Sequence, residues 1–252
     1  MDQTAVYALG MSLAAGLCTT LGGLFGVAMR KPPRGFLAAT LGFSSGIMMT
    51  VSLADLLPEA TEALVRNCGR IGGTAALAAA AVGGMLAAFL IDSFIPEAGK
   101  GENKAMFRVG IFSMLALLLH NLPEGIAVFV GGCADLRIGL SLSVAIALHN
   151  IPEGISVALP IAASTGRRSQ GVAAATLSGL SEPAGAVLAY LFLAPLFGEV
   201  LLATIFALVA GLMLYVVFDE LLPAALAGRC PGWALVGILT GILVMLLSIA
   251  IV

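Results

Sequence analysis

The sequence carries one eight-residue pattern twice. Leu119-His120-Asn121-Leu122-Pro123-Glu124-Gly125-Ile126 recurs 29 residues on as Leu148-His149-Asn150-Ile151-Pro152-Glu153-Gly154-Ile155. On a helix, residues i and i+4 share a face, and i and i+3 nearly do. His120 and Glu124 therefore point the same way with Asn121 alongside, and His149, Asn150 and Glu153 repeat the arrangement. Each set offers an imidazole nitrogen, an amide oxygen and a carboxylate to one spot. That mixture suits Zn2+, Fe2+, Mn2+, Co2+ or Cd2+, whereas Mg2+ and Ca2+ prefer all-oxygen shells and Cu+ prefers sulfur. Glu182, in Ser181-Glu182-Pro183, adds a third acid, and three glutamates accommodate one or two divalent ions by bridging.

The residues between the ligands matter too. Each proline removes a backbone N–H and leaves the carbonyl four residues earlier without its helical partner. Leu119, Leu148 and Gly179 are the carbonyls affected. Gly125 and Gly154 are expected to let the two motif-bearing helices approach each other closely.

The chain that must position these groups has 252 residues, 60% apolar and 10% charged, with a net charge of −2. Its mean hydropathy is +1.08. A soluble domain carries about 25% charged residues, so the composition excludes an ordinary cytosolic enzyme, a disordered chain and a basic nucleic-acid binder. The 12 basic and 14 acidic residues cluster between long apolar stretches. A membrane helix needs about 20 mostly apolar residues to cross a core of ~30 Å. Eight spans are predicted: Ala5–Met29, Gly35–Leu57, Gly72–Phe94, Val109–Val130, Ile138–Ala162, Gly171–Phe197, Leu201–Phe218 and Trp233–Val252. The expected fold is an all-α integral membrane protein forming a single transmembrane domain over 1–252. The ~10-residue alternating segments of a membrane barrel are missing. The first span has no basic region before it and is too long for a secretory signal, so it is expected to remain in the mature protein.

Glu124, Glu153 and Glu182 then sit near mid-span. Facing lipid and unpaired, three such acids would cost roughly 8–10 kcal/mol on insertion scales. The sequence puts no Lys or Arg at matching depth, so protons or a bound cation are the expected counter-charge.

Nine of the 12 basic residues (Arg30, Lys31, Arg34, Lys100, Lys104, Arg108, Arg167, Arg168, Arg229) fall in alternate connections, against three (Arg66, Arg70, Arg137) in the others. Because short cytoplasmic loops hold the excess, both termini are expected outside. A second repeat relates Gly46-Ile47-Met48…Asp55-Leu56-Leu57-Pro58 in span 2 to Gly211-Leu212-Met213…Glu220-Leu221-Leu222-Pro223 in span 7. Those spans run in opposite directions, the mark of an inverted repeat and of a secondary transporter. Spans 1–3 pair with 6–8, leaving 4 and 5 between them.

Span 2 runs outward, placing Asp55 and Glu59 about 10–16 Å beyond Met48 at 1.5 Å per residue. Asp219 and Glu220 fall near the cytoplasmic mouth, with Asp92 at similar depth. Acids at both mouths would concentrate cations. Ser44, Ser45, Thr19, Thr20 and Ser181 read as helix-packing residues. Cys68 and Cys133 fall on the outer side, where a disulfide is an option that sequence does not decide.

At the twin motifs the chain resembles the ZIP (Zrt-, Irt-like) family of divalent metal transporters, especially its compact bacterial ZupT/GufA-like branch. The likeness covers nearly the whole chain: eight spans, outward termini, the two His-Asn-x-Pro-Glu-Gly motifs, Ser-Glu-Pro in span 6 and Gly-Ile-Met in span 2. The resemblance implies a 3+2+3 arrangement with a binuclear metal site between helices 2, 4, 5 and 6. It implies one subsite from Met48, His120, Glu124, His149 and Glu153, and a second from Asn121, Glu124, Asn150, Glu153 and Glu182, with Glu124 and Glu153 bridging. It also implies that spans 1, 4, 5 and 6 move against 2, 3, 7 and 8. Ala98–Met106 contains no histidine, unlike the histidine-rich loop of many members.

The function expected is a secondary transporter carrying divalent transition metals into the cytoplasm, Zn2+ first, with Fe2+, Mn2+, Co2+ and Cd2+ as further candidates. The location expected is the bacterial inner membrane. The metal is cargo, and no cofactor is expected. Expected partners are divalent metal ions and the bilayer, with a homodimer left open and no nucleic acid. One alternative is a membrane-embedded metalloenzyme, against which stand two histidines in total and no His-Glu-x-x-His helix. Another is a metal-independent cation channel or proton-coupled carrier. No Gly-x-x-x-x-Gly-Lys-Ser/Thr loop supports an ATP-driven pump.

Overall fold

The computed structural model describes residues 3–28, 35–94, 102–193, 198–227 and 230–251. Arg30, Lys31, Arg34, Lys100, Arg229 and the predicted span ends at Met29, Phe197 and Val252 lie outside the described residues. The described residues are helical and contain no strand. The elements are α1 (Gln3–Ala28), α2 (Phe36–Val51), α3 (Leu57–Phe94), α4 (Glu102–Ala134), α5 (Leu136–Thr165), α6 (Arg168–Gly179), α7 (Ser181–Leu188), α8 (Glu199–Val216), α9 (Leu222–Leu226) and α10 (Pro231–Ile251). Among the described residues, seven segments are long and apolar enough to cross a membrane. Leu235, Leu239, Leu243 and Leu247 on α10 stand four residues apart, each more than half exposed. Such an apolar stripe suits lipid rather than water.

One of the seven, Phe36–Ser93, is 58 residues long. At 1.5 Å per residue it measures about 87 Å, nearly three bilayer cores. It is broken at Gly69, with φ 73° and ψ 165°, a conformation open to glycine and closed to side chains. The chain doubles back there. A Cβ on Gly73 would lie 2.6 Å from the Leu64 carbonyl, so the two arms touch at once. The separate loop predicted between spans 2 and 3 is therefore corrected: helix continues to the break, and Arg66 and Arg70 ride on helix.

Among the described residues, three π-helical turns interrupt the α-helices: Ser52–Leu56, Ala189–Leu193 and Val217–Leu221. The first and third have the same cause. Pro58 and Pro223 cannot donate, and each ring crowds the carbonyl four residues back. The helix widens just before each, and the wider bonds run from Leu57 N to Ser52 O and from Leu222 N to Val217 O. An offset of 165 residues relates Gly46 to Gly211 and also Ser52 to Val217. The sequence repeat is thus a repeat of local structure. Span 6 is interrupted at Leu180, where Pro183 offers the Gly179 carbonyl no donor, as the sequence led one to expect.

Packing divides the helices into two bodies. One consists of α1, α4, α5, α6 and α7, packed on one another; in the other, α2 packs on α10 and α3 on α8. Contact across the seam is sparser, chiefly α2 with α5 and α4 with α8.

Candidate metal site

The twin motifs lie on α4 and α5. His120 is 1% exposed, Asn121 0% and Glu124 8%; Asn150, Glu153 and Glu182 of α7 are each 0%. His120 Nε2 stands 3.1 Å from Glu124 Oε1, so the i, i+4 pairing read from the sequence is realised. Asn150 Nδ2 donates to the Ala15 carbonyl at 2.9 Å and to Glu182 Oε2 at 2.7 Å, joining α1, α5 and α7. Asn121 Nδ2 donates to the Ser178 carbonyl at 3.3 Å, joining α4 to α6. With the amide nitrogens so employed, Asn121 Oδ1 and Asn150 Oδ1 are buried acceptors without a hydrogen-bond donor among the described residues. Such an acceptor costs about 1–3 kcal/mol when nothing meets it, and a dication would meet it.

His149 is on α5, but its side chain lies outside the described residues. Met48 is buried on α2, in the opposite body, and its sulfur accepts from Ser44 Oγ at 3.9 Å within its own helix. Ser45 and Ser181 satisfy themselves on the Leu41 and Ser178 carbonyls, as expected of packing residues.

The expectation that Gly125 and Gly154 bring α4 and α5 together is corrected. A Cβ on Gly125 would fall 1.8 Å from the Glu182 carbonyl oxygen of α7, and one on Gly185 would fall 1.9 Å from that of Leu122. Gly154 meets the Thr19 carbonyl of α1, and Gly22 of α1 meets that of Ile151, both at 1.9 Å. Each motif glycine thus docks its glutamate's helix on a different neighbour, α4 on α7 and α5 on α1.

A cavity of about 290 Å3 opens beside the motif. His120, Pro123, Glu124, Leu142 and Ile146 line one wall; Val51, Asp55, Glu59, Phe206 and Met245, from the other body, line the facing wall. The two acids placed at the outer mouth therefore share one cavity with two motif residues.

Asp92, Asp219 and Glu220 also come together. One oxygen from each lies within 4.8 Å of the others. Arg108 of α4 joins them, donating through Nη1 to Glu220 Oε1 at 2.9 Å and through Nη2 to Asp92 Oδ1. Sequence reasoning used Arg108 only as an orientation marker. The available signal was an arginine immediately before a span, on the side already assigned three acids. The Cys68 thiol is free and exposed, so no bridge to Cys133 forms.

The family model described as ZIP zinc transporter matches residues 97–249, which contain both motifs and Glu182. The chain belongs to the ZIP zinc transporter family. It is 41% identical over 258 residues to the zinc transporter ZupT of Corynebacterium glutamicum, covering 97% of this chain and 98% of that one. It is 40% identical to ZupT of Lysinibacillus sphaericus, covering 100% and 99%, and 36% identical to that of Streptococcus mutans, covering 99% and 98%. In this ZIP protein the motif residues occupy the body formed by α1 and α4–α7, against α2 of the other.

Proposed function

We propose that the chain is a secondary transporter, not an enzyme, that carries Zn2+ into the cytoplasm through a site at the seam between its two bodies. One observation carries the reading: Glu124, Glu153 and Glu182 on α4, α5 and α7 are each buried, as are His120 and the Asn121 and Asn150 oxygens, and His120 and Glu124 line a cavity that Asp55 and Glu59 also line. Nitrogen and carboxylate donors at mid-span bind a transition-metal dication and place it where two packed bodies can exchange its exposure. His120, Glu124, His149, Glu153 and Met48 form one subsite. Asn121, Asn150 and Glu182 form the second with the same two glutamates, which bridge.

The arrangement has eight spans in a 3+2+3 plan, with Phe36–Ser93 counted as two arms hinged at Gly69. Both termini face outward in the bacterial inner membrane, which makes the Asp55–Glu59 end the entrance. Full-length relatives named as zinc transporters support zinc as the cargo. Zinc uptake into proteoliposomes tests the proposal. Saturable, metal-dependent flux supports a carrier; flux that never saturates favours a channel, and the absence of metal flux refutes the reading.

A further inference from the structure

The seam is treated differently at its two ends. Beside His120 and Glu124 it widens into the cavity that Asp55 and Glu59 line. Toward the other end, Arg108, Phe112, Ala116 and His120 stand four residues apart on one stripe of α4. Phe112 is 1% and Ala116 5% exposed. With Ala88 and Ile91 of α3 and Leu212 and Val216 of α8 they surround a gap that has no room for water. About 18 Å along the helix from His120, at 1.5 Å per residue, the stripe ends at Arg108. Its guanidinium bridges Asp92 of α3 and Glu220 in the π turn after α8. One arginine of the first body thereby holds two acids of the second.

We propose that Arg108 is the latch of the seam: its paired bonds to Asp92 and Glu220 keep the end opposite the cavity closed, and they must break before a cation can leave there. The inference rests on the transporter reading, since a latch matters only if the bodies part. The chemistry suits the task. A guanidinium presents parallel donors to carboxylates and stays charged throughout. Removing it leaves these two acids of the second body, with Asp219 beside them, without the cation that ties them to the first. A dication arriving from the site competes for the oxygens Arg108 holds, so cargo itself can displace the latch. Arg108 positions helices and is not a ligand.

Thiol accessibility in nanodiscs, where both faces are open, tests this. With the four native cysteines replaced by serine, Ala116→Cys places a thiol behind the latch. Arg108→Gln should raise its rate of modification by a hydrophilic thiosulfonate about fivefold or more, the lower end of typical couplings between sites. Glu220→Gln and Asp92→Asn, each sparing one bond, should give intermediate rates and cover the case of a misfolded Arg108→Gln. Arg108→Glu with Glu220→Arg should restore slow modification, which a merely structural role would not do. Equal rates with and without Arg108 overturn the latch. Zinc uptake by the Ala116→Cys parent is read separately: uptake with unchanged thiol rates sinks the latch and spares the transporter.

Discussion

Replacing Gly125 by alanine adds one methyl group where α4 crosses α7. The new Cβ would lie 1.8 Å from the Glu182 carbonyl oxygen, and ordinary contact begins near 3.4 Å, so the helices must part by about 1.6 Å. The obstacle is backbone, which no rotamer change relieves. Overpacking of this kind costs about 1–3 kcal/mol, partly offset by the ~1 kcal/mol helix preference of alanine over glycine. The protein should therefore still fold. The shift, however, falls between Glu124 and Glu182, and misplacing reacting groups by about 1 Å can cost on the order of 100-fold. Zinc uptake in proteoliposomes should fall by about that factor, while thermal unfolding moves by a few degrees. Gly83→Ala is the control, because nothing lies within 4 Å of its Cβ; it should transport normally. Gly185→Ala, approaching the Leu122 carbonyl across the same crossing, should reproduce the defect. Full-rate transport by a folded Gly125→Ala protein would refute the claim that this crossing sets the spacing of the glutamates.

Four other tests probe the reading. Glu153→Ala removes a proposed bridging ligand; loss of even an outer-shell partner costs ~10–100-fold in metal affinity or activity, so zinc uptake should fall by more than ~100-fold, whereas His149→Ala should chiefly change the order of preference among zinc, cadmium and manganese in competition assays. Asp55→Asn combined with Glu59→Gln should lower uptake at sub-saturating zinc and leave the maximal rate near normal, with the difference shrinking at high ionic strength as screened steering requires. In intact cells, Cys68, exposed beside the Gly69 break, should react with a membrane-impermeant maleimide; labelling only after permeabilisation would reverse the assigned orientation.

The site was more legible in the sequence than the seams around it. Periodicity alone places His120 and Glu124 on one face, because a four-residue spacing on a helix fixes direction before any tertiary contact forms. The acids of both mouths were likewise assigned from span direction, and Asp92, Asp219 and Glu220 do meet. What failed was partner choice. A glycine announces that something comes close, but its sequence neighbourhood does not say whether α5 or α7 fills the space. Arg66-Asn67-Cys68-Gly69-Arg70 looks like a loop by hydropathy, yet polar residues extend a helix readily once it emerges from lipid, and only Gly69 needs a non-helical conformation. Arg108 was counted for its charge, and a count holds no information about the acids that a side chain reaches.

The widened turns before Pro58 and Pro223 have an effect that residue types alone would hide. A π turn holds one residue more than its neighbours, so everything beyond it is rotated by about 100° relative to an unbroken α-helix. Asp55 and the Asp219–Glu220 pair ride on those turns, and their bearing is set by an inserted backbone unit. Deleting Leu53 or Ala54 from that first turn would keep every acid in the chain and turn Glu59 about a quarter of a revolution away from the vestibule it borders.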